Sequence, residues 1–404
     1  METGLTYLGF VAISDPPREG VKESVQEARG AGIRSIMITG DNAETAKSIA
    51  RQVGILGKAD LAIEGDEIES LSDDEFLRAS VFARASPEHK MAIIDHYKKN
   101  NCVVAMTGDG VNDALAISMA DVGIAMGIAG TDVTKQAADM IVTDDSFNSI
   151  ITGVREGRGL FERIRAIIFF YIAVNLAEAL IYFGSSFIPE FNLLNTWQQI
   201  YIIVTVHSLP PFALIVDRLS KDVMRGRPRD KEGIIAKRLL IGLILFSTTL
   251  ALVFYTVYFG TLYGYIPIFD ENKMGHIPYF DRRNALDPRL WPLVKARTML
   301  HTIAIVAECT LVISLRQLNK SIFKILKEDN YPIAWMFILI VPLAHGILMY
   351  VPEVQSLLVL LAGINLEVIR LAPLDWIIAL ALGLFPIALF ELYKVSMRKR
   401  NLYF

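Results

Sequence analysis

The chain has 404 residues, of which 53% are hydrophobic, with a mean hydropathy of +0.40 and a formal net charge of −3. It is too apolar to be wholly water-soluble, and it has no basic stripe of the kind that binds nucleic acid, so no nucleic-acid partner is expected. Its two cysteines, Cys102 and Cys309, fall in a predicted strand and a predicted membrane helix, which argues against a disulfide or a thiolate cluster.

The apolar residues are unevenly spread. Up to about Asp145 strand-like and helix-like segments alternate with ordinary charge, whereas beyond Arg165 several runs are long enough to cross a bilayer, roughly 20 residues each. The N-terminus is polar and leads directly into a strand, so no signal peptide is expected. Tyr7–Ile13 reads as the first strand and is broken by Ser14-Asp15-Pro16-Pro17-Arg18-Glu19, after which Val21–Ala31 reads as a helix. Ser35–Ile38 reads as the next strand, ending in Thr39-Gly40-Asp41-Asn42 before a helix from Ala43 to Val53. A polar stretch around Glu64–Asp74 precedes the strand Ser80–Ala83, the segment Arg84-Ala85-Ser86-Pro87-Glu88-His89-Lys90 and a helix to Lys99. The buried strand Cys102–Ala105 then leads into Met106-Thr107-Gly108-Asp109-Gly110-Val111-Asn112-Asp113-Ala114, followed by a helix over Ala114–Met119 and strands at Val122–Ala125 and Met140–Val142.

This alternation predicts a parallel, doubly wound α/β sheet of Rossmann-like type. Right-handed crossovers put the strand-end loops on one edge, which would gather Thr39, Asp41, Lys90, Asp109 and Asp113. Taken singly, each has a plainer reading: an Asp or Thr after a strand is commonly a helix cap, and a Lys on a helix is commonly solvated. Together they offer a hydroxyl, a cation and hard oxygen ligands between glycines, the groups that position and neutralise a phosphoryl group with Mg²⁺. Asp15, followed by two prolines, reads as structural or hinge-like.

Asp15-Pro16-Pro17-Arg18, Met37-Ile38-Thr39-Gly40-Asp41-Asn42 and Thr107-Gly108-Asp109-Gly110-Val111-Asn112-Asp113 resemble motifs of the P-type cation-transporting ATPases, most closely the calcium and sodium/proton–potassium pump branch. The resemblance runs over almost the whole chain and implies a haloacid dehalogenase-like fold. It also implies ATP and Mg²⁺ as cofactors, with Asp109 as a Mg²⁺ ligand and Asp113 holding the loop and supporting the metal. Thr39 and Gly40 would contact the transferred phosphoryl group, and Asp41 would order the turn. Lys90 would neutralise phosphate charge, Asn112 would contact phosphate, and Arg84 would reach toward nucleotide. The family's phosphorylated Asp lies in Asp-Lys-Thr-Gly-Thr, which this sequence lacks; Asp230-Lys231-Glu232-Gly233 is a decoy without the threonine. Also absent are the nucleotide-binding domain with its Lys-Gly-Ala, the actuator's Thr-Gly-Glu and the first membrane helices. The resemblance is therefore to the C-terminal portion of a pump, whether from a split gene, a truncated gene or a cut piece; in a split gene a separate N-terminal half would carry the phosphorylated Asp.

On this reading residues 1–150 form a partial phosphorylation domain, 151–165 a stalk and 166–404 a C-terminal transmembrane domain. Phe147–Arg165 is amphipathic and continues into a first span, Ala166–Ile188. Further spans are expected at Thr196–Val216, Leu239–Ile266, Thr298–Leu315, Pro332–Val351 and Asp375–Val395, about six helices in all. Every second connection is basic: Arg155 to Arg165, Arg225 to Arg238, Lys320 to Lys327 and Lys394 to Arg400. The positive-inside rule then places both the soluble domain and the C-terminus in the cytoplasm, in a multi-pass protein of the cell membrane solvated by its lipid.

Polar residues within the spans mark a cation site. Asn175 and Glu178 share a helix face, Glu308 lies midway along the fourth span, and Thr205, His207 and Ser208 precede Pro210-Pro211, a pair that would break the second span. The alternative is that these groups only bond neighbouring helices, the reading favoured for His301 and His345. By resemblance to the calcium pump, Asn175, Glu178 and Glu308 match cation ligands. Where that pump has Asn, Thr and Asp in the second span, this chain has Ile203, Val206 and His207, and a histidine there could bind a softer metal or carry a proton. The expected function is ATP-driven cation transport through an aspartyl-phosphate cycle, with this chain inactive alone. The alternatives are a membrane-anchored Mg²⁺-dependent phosphatase-like protein and a non-catalytic membrane subunit or remnant.

Overall fold

The computed structural model describes residues 6, 8–9, 16–187, 193–220, 222–226, 234, 236–266, 291–328 and 331–400. Of the expected first strand only residues 8 and 9 are described, and Asp15 and the decoy Asp230–Gly233 lie outside the described residues. The chain divides into two compact units, residues 1–158 with 221–229, and residues 159–220 with 230–404.

In the first unit, α1 (Val21–Gly30) precedes β1 (Met37–Ile38), α2 (Ala43–Gln52), β2 (Leu61–Glu64), α3 (Asp73–Arg78), β3 (Ala79–Ala83) and α4 (Pro87–Lys99). β4 (Ala105–Gly108), α5 (Ala114–Met119), β5 (Val122–Met126), α6 (Asp132–Ala137) and β6 (Met140–Val142) follow. Among the described residues all the pairings are parallel, as the alternation predicts. They form two three-stranded sheets, ordered β1-β3-β2 and β4-β5-β6. The strand expected at Cys102–Ala105 begins only at Ala105, because the turn after α4 holds the preceding residues and leaves Val103 68% exposed. β2 escapes sequence reading: four residues flanked by Asp60 and Asp66 carry too little apolar pattern to stand out from a polar stretch.

α4 serves both sheets. Ile93 and Tyr97 pack with Phe76, Phe82 and Ile63 beneath the first, while Ile94 packs with Met106, Ala116 and Ile117 beneath the second. Ile38 of β1 and Val104, just before β4, contact both clusters. The end strands of the two sheets are therefore anchored on the same helix, though among the described residues no ladder joins them. Ser86 caps α4 by accepting from His89 N (3.3 Å), with Pro87 in the first turn where its missing N–H costs nothing.

α7 (Phe147–Ser185) is a single 39-residue helix that carries the chain from the first unit into the second. Its start is tied to the first unit: Arg155 makes a forked pair with Glu27 (2.6–3.0 Å), and Arg158 donates to Ala31 O (2.8 Å) and Val223 O (3.2 Å).

The second unit continues with α8 (Thr196–Tyr201), a π-helical stretch (Ile202–Val206), α9 (Phe212–Val216), α10 (Lys237–Leu262) and α11 (Trp291–Leu315). α12 (Ile322–Glu328), α13 (Pro332–Tyr350), α14 (Pro352–Ala362) and α15 (Pro373–Lys399) complete it. Among the described residues five helices are long and apolar enough to cross a membrane: α7, α10, α11, α13 and α15. The run expected to form the other span, Thr196–Val216, is broken into α8, the π-helical stretch and α9. Pro210 and Pro211 lack the N–H that would continue the helix, and the chain answers with an i→i−5 bond from His207 N to Ile202 O (3.0 Å).

α11 is central, with 83% of its apolar window buried. α15 packs closely against it because Gly383 faces Val306 and Ile303 O, where a methyl group would sit 2.9 Å from Val306. α11 also begins earlier than the expected Thr298. Lys295 is fully buried yet lies 2.8 Å from Asp375 of α15, and Arg297 lies 3.2 Å from Glu367, so both charges enter the helix neutralised.

Candidate functional site

Two clusters carry chemistry. The first lies at the carboxyl ends of β1 and β4. Beyond β1, Thr39 N donates to Phe82 O (2.9 Å), while Arg84 N and Ala85 N donate to Asp41 O (2.9 Å) and Thr39 O (3.0 Å). These bonds fix the Thr39-Gly40-Asp41 turn against the end of β3. Thr39 Oγ1 accepts from Asp41 N (3.1 Å), which leaves its own proton uncommitted. Asn42 caps α2, and Gly40 and Asp41 are exposed. Arg84, at φ 48°, is exposed and reaches Glu64 (3.3 Å).

Beyond β4, Gly108 is obligatory, because a Cβ there would stand 2.6 Å from Asp113 Cβ and 2.7 Å from its Oδ2. Asp113 is 7% exposed and pairs with Lys90 of α4, and it accepts a long bond from Gly110 N (3.4 Å). Asp109 and Asn112 are exposed, and among the described residues neither side chain has a hydrogen bond. The Asp109 carbonyl is held by Thr131 N (3.0 Å) and the Gly110 carbonyl by Thr134 Oγ1 (2.9 Å). Sequence reading passed over these two threonines; their signal was a capping Thr before Asp132, whose Oγ1 accepts from Thr134 N. Asp109 and Asp113 thus share one loop, and Lys90 reaches it from α4 through its pair with Asp113. Among the described residues no hydrogen bond joins the Thr39 turn to that loop.

The second cluster lies inside the helical unit. His207 follows the π-helical stretch and places Nε2 3.4 Å from Glu308 Oε2 of α11 and 3.7 Å from Glu178 Oε1 of α7. Glu308 is 3% exposed and His207 8%. Beside them is a cavity of about 30 Å³ lined by Val174, Ala177, Glu178, Leu250, Phe254 and Glu308, room for a water or a bare cation. Both carboxylates thus approach the same ring nitrogen, and among the described residues no group of three or more His, Cys, Asp or Glu side chains forms a ready metal cluster. Asn175 lies apart, exposed and donating to Tyr171 O one turn back on its own helix (2.7 Å).

Comparison with known proteins identifies the family. Residues 2–121 match the profile described as haloacid dehalogenase-like hydrolase, and residues 191–396 that described as cation transporting ATPase, C-terminus. The calcium-transporting ATPase 1 of Bacillus cereus (strain ATCC 10987 / NRS 248) is 34% identical over 408 residues, covering 98% of this chain and 43% of that protein. The calcium-transporting ATPase of Bacillus subtilis (strain 168) is 42% identical over 243 residues, 59% of this chain and 27% of that protein. The calcium-transporting ATPase type 2C member 1 of Homo sapiens is 41% identical over 248 residues, 60% of this chain and 27% of that protein. The chain spans less than half the length of these relatives. With the second profile covering just over half of its residues, the chain belongs to the P-type cation-transporting ATPases and corresponds to their C-terminal part.

Proposed function

We propose that this chain supplies the metal-binding loop, the stalk and most of the ion path of a pump that moves a cation across a membrane at the expense of ATP. The observation that carries the reading is the pair of parallel strands β1 and β4, which among the described residues lie in separate sheets. Both strands end at candidate phosphate-handling loops, and Ile38 and Val104 rest on the same helix. A parallel strand inserted between them from outside the described residues would make one continuous sheet. Its carboxyl end would emerge between the Thr39 turn and the Asp109 loop, where a nucleophilic aspartate is needed.

In the proposed cycle a carboxylate oxygen of that aspartate attacks the γ-phosphorus of ATP, the bond to the bridging oxygen breaks and ADP leaves. Water later attacks the acyl phosphate and releases inorganic phosphate. Thr39 Oγ1 has a free proton for a phosphoryl oxygen, and Gly40 leaves room for the backbone to approach. Lys90 spends one of its three donors on Asp113 and keeps the others for phosphate. Asn112 and Arg84 are exposed, for phosphate and nucleotide respectively. Mg²⁺, when bound, neutralises phosphoryl charge. The donor set fits it: Asp109 is an exposed, unpaired carboxylate and Asp113 braces the loop, while Mg²⁺ keeps waters and substrate oxygens for its other positions.

Glu178, Glu308 and His207 would bind the transported cation, with carbonyls freed around Pro210-Pro211 as further ligands. The relatives are named for calcium, which takes six to eight oxygens. Here an imidazole holds the central place, so the cation must displace it or accept nitrogen. The unbroken α7 would couple the two clusters, and the basic connections favour the cytoplasmic side for the first unit.

The test is purified chain with and without a co-expressed segment bearing Asp-Lys-Thr-Gly-Thr, incubated with Mg²⁺ and radiolabelled ATP. The proposal expects an acid-stable, hydroxylamine-labile label on the added segment alone, lost in Asp109→Asn. Mg²⁺-dependent hydrolysis of p-nitrophenyl phosphate by the chain alone would favour the phosphatase-like reading, and no label with either preparation would favour a non-catalytic subunit.

A further inference from the structure

Tyr201 of α8, His301 of α11 and His345 of α13 meet inside the helical unit, away from the carboxylates. The His301 and His345 ring centres are 4.9 Å apart at 60°, and the Tyr201 ring stands edge-on to His301 at 4.8 Å. His301 is 0% and His345 2% exposed. Both ring nitrogens of His301, Nδ1 of His345 and the Tyr201 hydroxyl are buried without a hydrogen-bond partner among the described residues. Two imidazoles and a phenol would not stay unpaired in an apolar bundle without a ligand to satisfy them.

The hold on His345 narrows the ligand. Thr302 Oγ1, 2.8 Å from Thr298 O, lies 3.0 Å from His345 Nε2 and anchors the ring on that side. Nδ1 is left as the open nitrogen of a ring held through its other nitrogen, as metal-ligating histidines are. Spacing agrees. With metal–nitrogen bonds of about 2.0–2.1 Å and a tetrahedral angle, two imidazoles on one ion have ring centres about 5 Å apart.

Position adds a separate argument. His301 lies seven residues before Glu308 on α11, which puts it on the same helix face about 10 Å along the axis. A cation at the carboxylate cluster and one at the histidine pair would lie along the same side of the central helix.

We infer that His301 and His345, with the Tyr201 hydroxyl beside them, form a second buried site for one divalent transition-metal ion that prefers imidazole nitrogen. Water or a further oxygen completes the coordination, and the inference does not depend on the chain forming a phosphoenzyme. Its consequence is that such an ion has a stopping place in the bundle that alkaline-earth ions, which require oxygen, do not share.

The test uses the full chain in detergent, stripped with chelator and titrated with Co²⁺, then loaded with Zn²⁺ for X-ray absorption. One Co²⁺ should bind with the intense visible bands of a low-symmetry, nitrogen-containing site, and the Zn²⁺ spectrum should contain two imidazoles. His301→Leu should weaken this equivalent at least tenfold, whereas Glu178→Gln/Glu308→Gln should leave it in place. The Zn²⁺ spectrum of the unsubstituted chain needs no variant to fold. A spectrum without imidazole, or Co²⁺ binding unchanged in His301→Leu, would mean that the pair holds only water and would overturn the inference.

Discussion

Lys90→Met is the sharpest perturbation of the first unit. The Lys90 and Asp113 side chains are 16% and 10% exposed, so the pair is close to fully desolvated. Apart from Lys90, Asp113 has one long bond, from Gly110 N at 3.4 Å. Breaking a fully buried pair by removing one partner costs about 3–5 kcal/mol, and an exposed pair contributes about 0–1 kcal/mol. At this burial about 2–3 kcal/mol is expected for Lys90→Met. Asp113→Asn should cost less, about 1–2 kcal/mol, because the lysine left behind keeps more access to water. The double variant should cost clearly less than the sum of the singles, with a coupling of about 1–2 kcal/mol. Trp197, Trp291, Trp335 and Trp376 all lie beyond the first unit, so fluorescence does not report on this loop. Hydrogen exchange of peptides covering Gly108–Ala114 does. Lys90→Met should speed their exchange about 30- to 150-fold if they exchange through local opening. Strict additivity in the double variant, or unchanged exchange in Lys90→Met, would refute the view that this ion pair holds the loop.

Gly108→Ala drives a methyl group onto Asp113 and should destabilise the same loop by about 1–3 kcal/mol, seen as faster exchange there, whereas Gly157→Ala, with open space around it, should not. Asp145 accepts from Ile128 N (2.9 Å) and Ala129 N (2.7 Å), and these backbone bonds, that from Ile128 foremost, hold its carboxyl below the ordinary range. Because the folded value is lowered, the stabilisation is complete above the unfolded carboxylate range and is lost as pH falls through the folded value. Asp145→Asn should flatten the acid limb of Ile128 and Ala129 exchange, and an unaltered acid limb would contradict this. Pro210→Ala/Pro211→Ala restores two N–H donors and should let the helix run on from Tyr201, displacing His207 from Glu308. Cation-stimulated activity of the assembled pump should change its ion preference, and an unchanged preference would mean that the break is only architectural.

Local features of the fold were legible and long-range ones were not. The Thr39 turn, the Gly108–Asp113 loop and the disruption at Pro210-Pro211 are written in adjacent residues, because turn glycines and helix-breaking prolines act within a few positions. The early start of α11 was hidden because Lys295 and Arg297 read as a boundary until Asp375 and Glu367, about 70–80 residues later, neutralise them. The phosphate role expected for Lys90 rests on the motif alone, whereas its engagement by Asp113 depends on how α4 lies across both sheets. The meeting of Tyr201, His301 and His345 was illegible for the same reason. Each is a lone polar residue on a different helix, and helix faces in a bundle are matched by packing rather than by sequence spacing.

The most direct test of the central claim is cation uptake into sealed vesicles holding this chain together with a segment that supplies Asp-Lys-Thr-Gly-Thr. ATP and Mg²⁺ should drive uptake that stops with Asp109→Asn and shifts its ion preference with Glu178→Gln. Uptake that is indifferent to ATP, or that persists at full rate in Asp109→Asn, would contradict the assignment of this chain as the metal-loop and ion-path portion of a pump.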